Sequence, residues 1–144
     1  MNKPQQIRVK VFGLIQDEKR LFVCEGYDFI KQQKYYRALG GSIEFGETSR
    51  AALEREFQEE IQAELTNIRY RGCLENIYIF EGKPGHEIVQ VYECDFVDQK
   101  FYQLQELIFN ELTYIHPQKA LWVDISRCKS GELRLVPEQF LEFL

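Results

Sequence analysis

The chain has 144 residues, 18 Lys and Arg against 23 Asp and Glu, a formal net charge of −5 and 44% hydrophobic residues. That is enough chain and apolar content to bury a core as one domain over residues 1–144, and no apolar run approaches the roughly 20 residues that cross a bilayer. The expectation is a cytoplasmic protein without a secretory leader or membrane partner. Its acidic balance also disfavours long nucleic acid, whose phosphates need a surplus of Lys and Arg.

Ile7-Arg8-Val9-Lys10-Val11-Phe12 alternates apolar with charged residues, which predicts a half-buried strand. Polar Gln16 to Arg20 predicts a turn, and Leu21-Phe22-Val23-Cys24 the returning strand. Tyr35 to Leu39 reads as another short strand, ending at Gly40-Gly41. From Thr48 to about Ala63 there is no Gly or Pro, and Ala, Leu, Glu, Arg and Gln dominate. This predicts the longest helix, with Thr48 or Ser49 as its N-cap.

Ile68 to Phe80 and His86 to Phe96 predict a long hairpin turning through Gly82-Lys83-Pro84-Gly85. Phe101 to about Asn110 suits a short helix or loop, and Ala120 to Ile125 a late strand. Pro137 fits the first turn of a helix over 138–144. Strands interspersed with two helices suggest an α/β fold in which one mixed sheet is covered by helices. Cys24, Cys73, Cys94 and Cys128 are widely spaced and form no metal-binding or disulfide pattern, so they read as reduced, mostly buried thiols.

The charge is uneven. Between Glu44 and Glu64 stand seven acids and two bases, Arg50 and Arg55, so this one segment carries the entire −5. On the predicted helix Leu53, Phe57 and Ile61 form a stripe to be buried. Glu56, Glu59 and Glu60, at i, i+3 and i+4, share the neighbouring face, with Ala52 and Ala63 expected to keep that face open. Like charges at this spacing cost about 0.2–0.5 kcal/mol per pair unless something neutralises them. A hard divalent cation shared with substrate phosphates would do so, while a solvated acidic face is the alternative. Ahead of the helix, Gly40-Gly41-Ser42-Ile43-Glu44-Phe45-Gly46-Glu47 predicts a glycine-rich loop that lets the backbone approach a ligand closely.

Residues Gly41 to Ala63 resemble the Nudix box, G-x5-E-x7-R-E-U-x-E-E-x-G-U, with Gly41, Glu47, Arg55, Glu56, Phe57, Glu59 and Glu60 in register. Gln62 stands where the pattern has its last Gly, and Ala63 is smaller than the usual apolar residue. The resemblance implies a Nudix fold, an α/β/α sandwich with a mixed β-sheet, and hydrolysis of a nucleoside diphosphate linked to another moiety with Mg²⁺ or Mn²⁺. It implies Glu56, Glu59 and Glu60 as metal ligands, with the Gly40 carbonyl a further candidate. Arg55 would orient Glu47 or Glu56, and Glu47, Glu56 or an acid outside the box would be the base. Arg37, Glu44, Glu87 and Glu111 are candidates for meeting substrate, with Glu106 and His86 weighed beside them. For each, a packing or surface role is the alternative. The expected partner is a small nucleotide-diphosphate substrate, and exposed tyrosine-rich strands would suit a homodimer. A non-catalytic nucleotide-binding sensor is the alternative function, and RNA 5′-end processing is disfavoured because no basic run is present to track a strand.

Overall fold

The computed structural model describes residues 5–110 and 116–144. Strands β1 (Arg8–Leu14), β5 (Leu39–Ser42), β6 (Leu65–Phe80) and β7 (Lys83–Phe96) form a mixed sheet in the order β5-β1-β7-β6, with β1 parallel to β7. An antiparallel sheet runs β2 (Gln16–Asp17), β3 (Arg20–Asp28), β9 (Gln118–Asp124), β8 (Glu106–Phe109), with β4 (Gln33–Arg37) also paired to β3. There are thus two sheets where the residue pattern suggested one.

Both sheets contribute alternate residues to two separate cores. Val11 on β1 and Phe22 on β3 pack with Leu53 and Phe57 of α1 (Ser49–Ile61). Their neighbours Phe12 and Leu21 pack with Cys128 of α3 (Ile125–Lys129) and with Phe140 of a C-terminal 3₁₀ helix (Glu138–Phe143). Since successive strand residues point to opposite faces, the two cores lie on opposite sides of a common β layer. The result is an α/β/α sandwich.

Several elements differ from the sequence expectation for local reasons. The expected strand Tyr35–Leu39 divides at Ala38, so β4 and β5 join different sheets, and Gly40 and Gly41 lie inside β5 instead of a loop. The long hairpin turns through only Glu81 and Gly82, both at positive φ, the backbone that a tight two-residue hairpin turn needs. Pro84 therefore falls within β7, but beyond Glu87, where pairing with β1 starts. Residues 101–110 include the end of a short helix, α2 (Lys100–Gln103), and then strand β8. The final helix is 3₁₀, and α3 had no sequence signal strong enough to predict it. Cys24, Cys94 and Cys128 are buried free thiols and Cys73 is exposed.

Helix α1 begins where expected. The Thr48 hydroxyl accepts a hydrogen bond from the Ala51 N–H at 3.2 Å, and Leu53, Phe57 and Ile61 are buried. Ala52 and Ala63 are also buried in the core and do not leave an open surface beside the glutamates. The helix ends on Gln62 in the left-handed conformation (φ 52°, ψ 42°), the geometry a terminal glycine adopts most easily. Its N–H still reaches the Gln58 carbonyl, and its side-chain amide donates to the Glu59 carbonyl at 3.2 Å. Gln62 thus keeps the exit that the missing glycine would have made, at the cost of Cβ crowding. Gln62→Gly is expected to raise stability by about 1 kcal/mol. Chemical denaturation checks this, and a loss of stability would show that the amide contact outweighs the backbone strain.

Candidate functional site

The carboxylate helix meets the sheet at its glycine strand. A Cβ placed on Gly41 would lie 2.5 Å from the Glu56 carboxyl carbon, and one on Gly40 would lie 2.0 Å from the Val11 carbonyl oxygen. A side chain at Gly41 would displace the Glu56 carboxylate, and one at Gly40 would collide with β1 backbone inside the sheet. Their absence lets Glu56, half-buried, lie against β5 backbone.

Arg55 joins three pieces of chain around this contact. Its Nε and Nη2 donate to the two oxygens of Glu47, at 3.0 and 2.6 Å, and Nη2 also donates to the Ser42 carbonyl at 3.0 Å. Nη1 reaches Glu56 at 3.2 Å and Glu59 at 3.3 Å, with Glu44 more distant at 3.8 Å. Glu47 is held further by the Glu44 backbone N–H, 2.8 Å from Oε1. The forked pair to Arg55, then the Glu44 N–H, hold the Glu47 carboxyl below its ordinary value, while Glu47 raises the Arg55 guanidinium. Glu56 moves the other way. Burial raises it, only partly offset by Arg55, and the Glu60 carboxyl stands within hydrogen-bond reach. Glu60 is itself 8% exposed, and Glu59 is mostly in solvent.

These groups line one end of a cleft of about 2050 Å³, roomy beside the roughly 300–1,000 Å³ of ordinary ligand pockets. Gly40, Gly41, Glu44, Arg55, Glu56, Glu59 and Glu60 all border it, whereas Glu47 is not among the lining residues and supports Arg55 from behind. Arg37 and Glu87 lie on other walls of the same cleft. Glu106 pairs with Lys119 at 3.4 Å on the β8–β9 ladder, and His86 faces Ile77 across the hairpin. Neither borders the cleft. Glu111 lies outside the described residues.

The sequence reading passed over Arg8, Lys10, Asn76 and Tyr78, all of which border the cleft. Asn76 and Tyr78 donate to Glu87 at 3.4 and 3.3 Å. Arg8 and Lys10 were visible in the alternation of β1, but the pattern could not say that the charged face of that strand looks into a cleft.

A model of the NUDIX domain matches residues 4–129. The chain belongs to the Nudix family. It is accordingly a Nudix hydrolase, although no curated protein matches it. Among solved structures it is similar to the ORF135 protein of E. coli, with 20% identity, a TM-score of 0.58, and 96% of this chain and 88% of that one covered. It is also similar to a NUDIX hydrolase from Nitrosomonas europaea (15% identity, TM-score 0.63, 92% and 82% covered). A MutT protein from Bacillus halodurans is similar at 14% identity and a TM-score of 0.63, with 94% and 80% covered. At such identities the likenesses speak to the fold alone.

Nudix hydrolases generally use a divalent metal. Among the described residues no three His, Cys, Asp or Glu side chains form a ready cage for one. The chemistry of the donor set nevertheless suits a hard cation. Glu56 and Glu60 are two carboxyls in contact with restricted access to water, and Glu59, one residue away and mostly in solvent, is held by Arg55 at 3.3 Å. In this Nudix hydrolase the Arg55 guanidinium provides positive charge beside Glu56 and Glu59.

Because Glu47 titrates below its ordinary value of 4.5, its pair with Arg55 contributes fully above that value and is lost as pH falls through the lowered one. Glu47→Gln should therefore lower the Tm at about pH 7, and by less at a pH below the ordinary value of 4.5. Paired thermal melts test this, and a gap that is equal at both pH values would contradict it.

Proposed function

We propose that the protein hydrolyses a pyrophosphate linkage in a nucleoside diphosphate joined to another moiety, using Mg²⁺ or Mn²⁺. The observation that carries this reading is the Glu56 carboxylate lying against the Gly41 backbone, with Glu60 in contact, at one end of the cleft. Glu56, Glu59 and Glu60 would hold the cation, with the Gly40 carbonyl as a backbone contributor. When bound, the ion would neutralise charge growing on the phosphate oxygens and make water a better nucleophile.

The chain's own groups divide the remaining work. Glu47 makes a poor base, because both its oxygens are engaged by Arg55 and its proton affinity is depressed. It fixes Arg55, and Arg55 in turn sets the rotamers of Glu56 and Glu59 and ties the helix to Ser42. Burial raises the Glu56 carboxyl, a cost that a bound cation would offset by neutralising its charge.

The same reading takes residues 1–144 as one domain. Phe140 lies beyond the matched residues 4–129, yet it is fully buried with its ring 5.9 Å from that of Phe12.

A screen of nucleoside diphosphate sugars, dinucleoside polyphosphates and nucleoside triphosphates with Mg²⁺ or Mn²⁺ tests the function, with turnover of at least one class expected. Thermal stabilisation by nucleotide without any product would instead support the sensor module. On a substrate so found, Glu56→Gln and Glu60→Gln should each lower kcat on the order of 10²–10⁴-fold, since lost charge stabilisation is worth several kcal/mol. Undiminished turnover of a folded Glu60→Gln protein at saturating metal would remove Glu60 from the ligand set.

A further inference from the structure

The cleft has a second charged wall, opposite in sign to the helix. Arg8, Lys10 and Phe12 follow one another at every second residue of β1 and all border the cleft, so this face of the strand is its floor. Arg37, from β4, lies with its guanidinium 5.5 Å from the centre of the Phe12 ring and joins the two β1 cations there. Lys10 is half-buried, and its proton affinity is lowered first by that burial and further by Arg37 and Arg8. Glu87 from β7, directly across from Arg8 in the ladder, opposes these effects most, and Glu56 from α1 contributes least. Glu87 is in turn engaged by Asn76 and Tyr78 of β6.

Half-buried Lys10 and Arg37 and the more exposed Arg8 thus stand together on this floor, with Glu87 beside them. Crowding them there costs free energy that an arriving anion would recover. The place is close to the chemistry, because Glu56 stands near enough to act on the Lys10 charge and both border the same cleft. Past the cations, Tyr35, Tyr78 and Phe80 offer aromatic surface on which a base or sugar can rest.

We infer that Arg8, Lys10 and Arg37 form a phosphate subsite that takes a phosphate group of the substrate beyond the two joined by the cleaved linkage. This inference rests on the hydrolase reading above for its catalytic consequence, but not for binding. The further phosphate has two chemical sources, a longer phosphate chain or a phosphate ester on the attached moiety. In either case the subsite makes the enzyme favour such substrates over their less phosphorylated counterparts.

Two matched comparisons separate the sources. One sets a dinucleoside tetraphosphate against the corresponding diphosphate. The other sets a nucleoside diphosphate ribose against the same compound phosphorylated on its terminal ribose. With Mg²⁺, the wild type should show a higher kcat/KM for the more phosphorylated member of at least one pair. Lys10→Met should shrink that ratio by on the order of 10–100-fold, as expected for loss of a charge-assisted contact, and Lys10→Arg should restore most of it. An active wild type with no preference in either pair, or a ratio unchanged by Lys10→Met, overturns the subsite.

Binding of inorganic tripolyphosphate in EDTA, followed by calorimetry, provides a readout independent of turnover. Weakening of at least about 10-fold in Lys10→Met and in the strand-end variant Arg8→Met supports the subsite even if no substrate is hydrolysed. No binding to wild type, or equal binding to all three proteins, overturns it. If Lys10→Met fails to fold, Arg8→Met decides both measurements alone.

Discussion

The site depends on one steric constraint, the contact between Glu56 of helix α1 and a glycine of β5 that has no side chain to stand in its way. Most helices rest on a sheet through interlocking side chains, about 10 Å from its backbone. Here Leu53 and Phe57 make such a contact deeper in the core, but at the rim Glu56 reaches the strand itself through Gly41. The neighbouring Gly40 performs the same service between β5 and β1, where any Cβ would collide with the Val11 carbonyl. Gly41 therefore leaves room for the Glu56 carboxylate at the strand, and Gly40 lets β5 close on β1 beside it.

Around that contact the charges are arranged for position more than for stability. An ion-pair network with partial exposure contributes little to folding once desolvation and side-chain ordering are counted. What Arg55 accomplishes is geometric. One planar guanidinium touches Ser42 at the strand end, Glu47 in the turn and Glu56 and Glu59 on the helix, so strand, turn and helix keep a fixed relation. Lysine has the charge but not the fork, and could not satisfy Glu47 with two parallel bonds while holding the others.

The parts of this site that the sequence makes legible are those written in local spacing. Glu56, Glu59 and Glu60 share a helical face because 3.6 residues make a turn, and the apolar stripe of Leu53, Phe57 and Ile61 says which side is buried. The box carries the rest of the constellation, since Gly41, Glu47 and Arg55 lie within fifteen residues of one another. What the sequence conceals are relations between distant strands. Charged residues alternating along β1 look like a solvent face, yet Lys10 is half-buried because β4 and β7 bring Arg37 and Glu87 beside it. Likewise Ala52 falls in angle near the glutamates but packs into the core, as the sheet wraps further around the helix than an isolated wheel suggests, and Ala63 lies past the helix end, where left-handed Gln62 has already turned the chain. The division of Tyr35–Leu39 between two sheets was hidden for the same reason, since both halves are equally good strand sequence.

The opposed walls of the cleft give the net charge of −5 a more exact meaning. The acids gathered between Glu44 and Glu64 place negative charge on the helix and its approach, while Arg8, Lys10 and Arg37 are dispersed in sequence and gathered only by folding. A substrate made of phosphates would experience both, needing a cation at the helix and finding cations already provided on β1. Chemistry and selection can then be separated physically. The helix end is fixed by short-range geometry in one continuous segment. The β1 floor is assembled from strands whose individual residues can change without disturbing the glycine contact. A fold that keeps these two walls on separate elements can alter what it binds while leaving its carboxylates where they are.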